Sequence, residues 1–395
     1  MILKNKKKQM GQFFTPPLIA DRLVQCLNQQ IKTVLDLGCG QGQLGLSVLK
    51  FYPQANYIGI EKDQEYFQSC KLAMPEQNIV HIDVIDNEAL SSINNLMPVD
   101  TVIGNPPFIN IPACSALINE IRKSIPGLVL FRNRLRSEIL FIARSLERLR
   151  IGGQASFILP MSFFTSEQYQ YFRKHIISNF SAVSLFELPS HVFTGADVST
   201  CILSFNYKYI RDEKITLGCI KESGIISDSI RIDAKHALDR MDYSYHKLLA
   251  ESGILRLDRL TSISAVGGII SRGNRSRAEL SNDKIKYFHT TSFPKDQTFI
   301  NLDNEIMECA KYAEEGDILL ARVGSRCLDK QVIVASGRRA ITDCIYKIRV
   351  PNENIEQVIR ALSSKYGKVW RQMNAKGSCA RYITKESLLS MPLFE

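Results

Sequence analysis

The sequence predicts an α/β protein: seven short strands in a mostly parallel, doubly wound sheet with an antiparallel hairpin at its edge, followed by a mixed α+β domain. Three observations predict it. From Ile31 to about Asn206, β-branched runs alternate with helical stretches, the rhythm of a parallel sheet covered by helices. After Asn206 that rhythm breaks, and residues 211–250 read as charged and irregular. The chain of 395 residues is also roughly two to three times the usual folding unit. Two domains are therefore expected, residues 1–220 and 221–395.

The predicted strands, in order, are Thr33–Asp36, Tyr57–Ile60, Ile79–Ile82, Thr101–Ile103, Ala155–Leu159, Val183–Phe186 and Cys201–Phe205. A turn-rich segment, His191–Thr200, separates the last two, which form the expected edge hairpin. Between the fourth and fifth strands, Leu135, Ile139, Ile142, Leu146 and Leu149 recur at helical spacing within Phe131–Arg150. This predicts one amphipathic helix with Arg132, Arg134, Arg136, Arg144, Arg148 and Arg150 on its other faces. In the second domain, Asp317–Ala321 and Gln331–Val334 read as strands and Glu356–Trp370 as a helix.

Composition excludes several classes. At 45% apolar and 23% charged residues the chain matches ordinary globular protein rather than a disordered, collagenous or coiled-coil one. No run approaches the roughly 18 apolar residues of a membrane span. Lys4, Lys6, Lys7 and Lys8 are followed by no apolar stretch of the kind a secretory signal carries, so a cytoplasmic protein is expected. The ten cysteines form no CxxC pair, the six histidines show no metal-ligand spacing, and no bound metal is expected. The net charge of +10 is uneven: residues 1–100 carry 9 Lys+Arg against 10 Asp+Glu, and residues 251–395 carry 23 against 17. A basic second half suits a polyanion such as nucleic acid, although solvated surface produces the same excess.

The chemistry-bearing segments sit at strand ends. Asp36-Leu37-Gly38-Cys39-Gly40-Gln41-Gly42 follows the first strand and opens a helix; its glycines allow a ligand close to the backbone, and its acid can meet a ligand ammonium or hydroxyl. Glu61 ends the second strand, where a carboxylate can accept two ribose hydroxyls, and Asp83 ends the third, where it can accept from an adenine amino group. A glycine turn plus an acid also describes dinucleotide dehydrogenases. The sharper signal is Asn105-Pro106-Pro107-Phe108, directly after the fourth strand. Asn-Pro alone reads as a tight surface turn. Its place at the carboxyl end of a strand beside the switch point is, however, where ligands bind in such sheets. Two prolines remove two donors and stiffen the loop, leaving the Asn105 side-chain oxygen and the Pro106 carbonyl as acceptors suited to an aromatic amine.

In these segments the sequence resembles the gamma-class DNA adenine-N6 methyltransferases of restriction-modification systems, enzymes with a Rossmann-like sheet that use S-adenosyl-L-methionine (AdoMet). The resemblance covers roughly the first 210 residues. Gly11-Gln12-Phe13-Phe14-Thr15-Pro16-Pro17 looks like their N-terminal cofactor motif, and Asp36 to Gly42, Glu61, Asp83 and Asn105 to Phe108 follow in family order. Val192 to Thr200 is similar to a later loop whose phenylalanine, here Phe193, touches the target base; a core phenylalanine is the alternative reading of Phe193. The resemblance implies a cofactor site of Phe14, Thr15, Pro16, Asp36, Gly38, Gly40, Glu61, Asp83 and Asn105, with Thr15 on the cofactor carboxylate, Glu61 on the ribose and Asp83 on the adenine. His81-Ile82-Asp83 lacks the glycine often found before that aspartate, which leaves Asp86 as an alternative. Glu315 to Gly324 and Arg381 to Leu388 look like target-recognition domains of type I specificity subunits and gamma-class enzymes, so residues 221–395 are expected to read DNA.

The expected reaction is methyl transfer to N6 of an adenine flipped out of duplex DNA, with catalytic residues Asn105, Pro106, Pro107, Phe108 and Phe193. Arg272, Arg275 and Arg277, with the arginines of 131–150, are candidates for phosphate contacts. The expected partner is double-stranded DNA; the enzyme is expected to be either the modification component of a restriction-modification system, with a separately encoded restriction endonuclease, or an orphan methylase without one. The competing readings are a methyltransferase of RNA or of a protein glutamine, which an Asn-Pro-Pro-aromatic loop also suits, and a non-catalytic DNA-binding specificity subunit.

Overall fold

Continuous burial of both strand faces builds the large sheet of this protein. The computed structural model describes residues 13–27, 30–130, 134–189, 192–193, 198–207, 213–251, 261–295, 297–304, 310–324, 328–376 and 381–393. The chain divides into two compact units, one up to Tyr243 and one from Ser244.

In the first unit the strands are β1 (Thr33–Leu37), β2 (Asn56–Glu61), β3 (Asn78–His81), β4 (Val99–Gly104), β5 (Asn110–Pro112), β6 (Arg134–Arg136), β7 (Leu149–Pro160), β8 (Ser181–Glu187), β9 (Thr200–Asn206), β10 (Lys214–Ile220) and β11 (Ile226–Asp233). All but β5 and β6 form one sheet, in the order β11-β10-β8-β9-β7-β4-β1-β2-β3. Its centre is parallel: β1 pairs with β2 on one side and with β4 on the other. Burial alternates between two cores, as the pleat requires. Leu35 and Leu37 enter one, while Val34 and Tyr57 enter the other. The helices that cover the faces include α1 (Pro17–Gln25), α2 (Gln43–Phe51), α3 (Gln64–Ala73), α4 (Ser115–Ser124), α5 (Ser137–Leu146) and α6 (Gln170–Asn179).

All seven expected strands lie in this sheet, but its edge is not where the sequence placed it. β9 is inserted between β7 and β8, antiparallel to both, and β10 and β11 extend the sheet past β8. Residues 214–233 looked irregular because β11 is an edge strand whose first four residues are exposed on both faces, so its pattern shows no buried stripe. The unit consequently ends at Tyr243 rather than near residue 220.

The single helix expected over 131–150 is also corrected. Residues 131–133 lie outside the described set. Arg134–Arg136 is strand β6, paired antiparallel with β5, and only Ser137–Leu146 is helical, with every residue buried. A helix enclosed on all sides has no solvated arginine face. Arg144 is 1% exposed and donates to both Glu120 oxygens at 2.8 and 3.1 Å, Arg148 donates to the Arg144 carbonyl at 3.0 Å, and Arg136 pairs with Glu138. Arg134 and Arg150 are exposed.

The second unit holds a five-stranded sheet and a three-stranded sheet, with strands β12 (Ile269–Arg272), β13 (Tyr287–Phe288), β14 (Phe299–Asn301), β15 (Tyr312–Glu314), β16 (Ile318–Ala321), β17 (Gln331–Ser336), β18 (Arg338–Ile341) and β19 (Ile345–Arg349). The orders are β12-β19-β16-β17-β14 and β13-β18-β15. The helix expected at Glu356–Trp370 is two, α7 (Asn352–Ser363) and α8 (Lys365–Asn374). Ser364 breaks them with an extended ψ of 155° and caps the second by accepting from Gly367 N–H.

Candidate active site

A cleft opens at the carboxyl ends of β1 to β4, where the sheet order reverses direction.

The glycine loop forms its floor. Gly38, Gly40 and Gly42 have φ of +84°, +57° and +84°, a region that residues with a Cβ rarely occupy. A Cβ on Gly38 would also stand 2.9 Å from the Phe141 ring. Backbone bonds from Gly38 and Cys39 to the Ile60 carbonyl tie this loop to the end of β2. There Glu61, 4% exposed, accepts from the N–H groups of Gly40 at 2.8 Å, Lys62 at 2.9 Å and Asp63 at 2.8 Å. Burial pushes its carboxyl above the ordinary value, and those three donors oppose the shift.

Asp36 lies beneath the loop, fully buried. Tyr57 donates its hydroxyl to Oδ2 at 2.8 Å, while Oδ1 has no hydrogen-bond partner. Burial pushes this carboxyl up to about 7, against the Tyr57 hydrogen bond and helped by the nearby Glu61 charge.

Asn105 has one defined orientation. Its Nδ2 donates to the Phe13 carbonyl at 2.8 Å and to Thr15 Oγ1 at 3.0 Å. A carbonyl can only accept, so the amide nitrogen must face Phe13, which leaves Oδ1, enclosed and without a partner, as the free acceptor. The buried Pro106 carries a carbonyl that accepts no hydrogen bond among the described residues.

Phe14, Thr15, Gly38, Gly40, Glu61, Asp83, Asn105 and Pro107 all line the cleft. Asp83 accepts from Ile85 N–H at 2.9 Å, with Lys62 Nζ 3.8 Å away; Asp86 accepts from Ala89 N–H and stays off the lining. Pro16 does not reach the cleft and instead opens α1, its carbonyl accepting from Ile19 and Ala20. Phe108 is half-buried and off the lining. Phe13 does line the cleft, 5.5 Å from Phe108 and 6.1 Å from Phe193 between ring centroids. Phe193 is 3% exposed within the core, so its ring is enclosed here rather than open to a ligand. In the second unit Arg272 and Arg277 are exposed, Arg277 donating to the Tyr287 hydroxyl at 3.2 Å, whereas Arg275 is paired with Asp283.

Sequence reasoning missed Phe13, Tyr57, Ser137 and Phe141 as site residues. A tyrosine inside a fully buried parallel strand beside an acid-bearing one was the available signal for Tyr57. Ser137 and Phe141 lie in a helix that the misread boundaries obscured. Among the described residues no group of His, Cys, Asp and Glu could hold a metal ion, the cysteines are free thiols, and no helix is long and apolar enough to cross a membrane.

The profile of the N-6 DNA methylase family matches residues 1–237. The modification methylase CviBIII of Paramecium bursaria Chlorella virus NC1A is 26% identical over 204 residues, which cover 51% of this chain and 50% of that protein. The type II methyltransferase M.HincII of Haemophilus influenzae is 28% identical over 216 residues, 54% of this chain and 39% of it. The chain therefore spans half or less of the length of these curated relatives. Among solved structures, the type IIG restriction endonuclease BpuSI aligns with 97% of this chain and 59% of its own at a TM-score of 0.50 and 13% identity, a likeness of fold.

Proposed function

Because the chain belongs to the N-6 DNA methylase family, we propose that it is a site-specific methyltransferase that alkylates the exocyclic N6 of adenine in duplex DNA, as the modification component of a restriction-modification system. The observation that carries this reading is the Asn105 amide: both its hydrogens are engaged by Phe13 and Thr15, and its oxygen is left bare beside the cleft.

The residues of the cleft fit AdoMet as methyl donor. The positive-φ glycines leave a cradle that a Cβ would fill, and Glu61, with three of its four acceptor positions taken by N–H groups, keeps one on Oε2 for a ribose hydroxyl. Thr15 accepts from Asn105, so its own hydroxyl proton is free to meet a carboxylate. Asp83 takes the adenine end. AdoMet bound in this way supplies an electrophilic sulfonium methyl.

The chain's part is to prepare the nucleophile. The amino lone pair of adenine is delocalised into its ring. Acceptors at Asn105 Oδ1 and the Pro106 carbonyl, each taking one amino hydrogen, favour pyramidalisation at nitrogen as it attacks. Rigid placement supplies much of the remaining barrier reduction. A paired base cannot enter the cleft, so it is flipped at a cost of about a few kcal/mol, offset by stacking on Phe108 worth roughly 1–3 kcal/mol. Phe193 serves as the edge contact once Phe13, which touches both rings, gives way. The second unit reads the target sequence, with Arg272 and Arg277 on phosphates. A separately encoded endonuclease and a cytoplasmic setting complete the proposal.

The deciding experiment offers labelled AdoMet with duplex DNA, RNA and protein in parallel. Label in N6-methyladenine of DNA is expected. Label only in RNA or protein, or in none of the three, overturns the proposal.

A further inference from the structure

The Asn105–Ile109 loop contains two prolines and is short of backbone donors, so something outside it must hold it. At its start the anchor is Asn105 itself, bound to Phe13 and Thr15. At its end the anchor is Ser137, a residue to which the mechanism above gives no role. Ser137 is the first residue of α5, is 1% exposed, and lines the same cleft as Asn105 and Pro107. Its hydroxyl donates to the Pro107 carbonyl and accepts from Ile109 N–H at 3.4 Å, and its own N–H donates to the Ile109 carbonyl at 3.0 Å.

The hydroxyl also lies 3.2 Å from the Ile109 carbonyl and 3.5 Å from Glu138 Oε2. One proton serves one acceptor at a time, and the Pro107 carbonyl is the nearest. Among the described residues, the backbone groups bonded to the Ser137 hydroxyl belong to Pro107 and Ile109, so it holds the loop rather than the backbone of α5. The flanking residues are fixed as well: Asn110 pairs with Arg136 and Ile111 with Leu135 across β5 and β6, and Arg136 in turn grips Glu138.

We propose that Ser137 is a positioning residue for methyl transfer: its hydroxyl sets the height of the Asn105–Phe108 loop over the cleft and so aims the two acceptors at the amine. This rests on the reading of Asn105 as the acceptor of the target amine. Alanine at 137 strips the Pro107 carbonyl and the Ile109 N–H of their shared partner while leaving the glycine loop, Glu61 and Asp83 untouched. The loss should therefore fall on the chemical step and not on cofactor binding.

The test measures single-turnover methylation of duplex DNA, AdoMet affinity and melting temperature for the full chain and for Ser137→Ala, Ser137→Cys and Ser137→Thr. Ser137→Ala is expected to slow methylation by about 10- to 100-fold, the scale of a displacement near 1 Å, with AdoMet affinity changed by less than about threefold. Ser137→Cys keeps a weak donor of similar size and falls between. Ser137→Thr keeps the hydroxyl and recovers most of the rate. An alanine rate equal to that of the parent chain, an equal loss of AdoMet affinity, or a threonine variant that melts normally yet is no faster than alanine overturns the inference. The parent chain separates the two claims: if it methylates DNA and Ser137→Ala does too, only the role of Ser137 falls, whereas an inactive parent chain removes both.

Discussion

At the scale of single residues, hydrogen-bond supply decides what a side chain can do. Asn105 has two donors and both are taken, so substitution removes an acceptor that nothing nearby replaces. Asn105→Ala is expected to lower the methylation rate by at least about 10²–10³ while duplex affinity, measured by fluorescence anisotropy, stays close to that of the parent chain. Asp36 poses an electrostatic problem. Its folded value of about 7 exceeds the ordinary 3.8, so the fold favours the protonated form. Its contribution to stability is complete below about pH 4 and is lost as pH rises through 7. Asp36→Asn keeps an acceptor for Tyr57 and cannot ionise. The stability gained by Asp36→Asn should therefore grow between pH 5 and pH 8, up to an order of about 4 kcal/mol; urea unfolding showing no pH-dependent difference contradicts this.

At the scale of elements, the same arithmetic separates supports from surface. The arginines of 131–150 suggested a phosphate-binding face, but Arg144 is buried on α5 and paired with Glu120 of α4, with Nη1 already lacking a partner. Glu120→Gln leaves a buried guanidinium without its counter-charge and is expected to destabilise the first unit by about 3–5 kcal/mol, read by chemical denaturation, with no change in the salt dependence of DNA binding. The turn from β1 into α2 carries a comparable constraint. Gly38→Ala forces a Cβ into positive φ and against Phe141. Isothermal titration is expected to show AdoMet affinity falling by more than tenfold, a loss on the order of 1.4 kcal/mol or more. Wild-type affinity in that variant means the cofactor does not use this loop. The element-scale reading of the sequence succeeded where a single period ran through a buried strand, as in β1, β2 and β4. It failed at Arg134–Arg136, whose three residues satisfy a helical and a strand pattern alike until β5 pairs with them.

At the scale of the whole molecule, charge and division into units matter most. If Arg272 and Arg277 contact phosphates, each contributes to counterion release. Removing either should then reduce the loss of DNA affinity between about 50 and about 200 mM salt by about threefold. Arg275, paired with Asp283, should change it less. A salt response that is flat in the parent chain refutes the assignment of phosphate contacts.

The strands β1 to β4, the glycine turn, and the strand-end positions of Glu61, Asp83 and the Asn-Pro-Pro-Phe loop were legible from the sequence by itself. Each depends on neighbours a few residues away, and backbone conformation and strand burial are local enough to leave a pattern. The rest was decided by tertiary structure, because it depends on residues brought together from distant parts of the chain. Ser137 meets Pro107 across 30 positions, Asn105 meets Phe13 across 92, and Tyr57 meets Asp36 across 21. The strands β10 and β11 that extend the sheet past β8, and the enclosure of α5, belong to the same class. Burial, not residue type, separated the arginines that support the fold from those left free to meet a ligand.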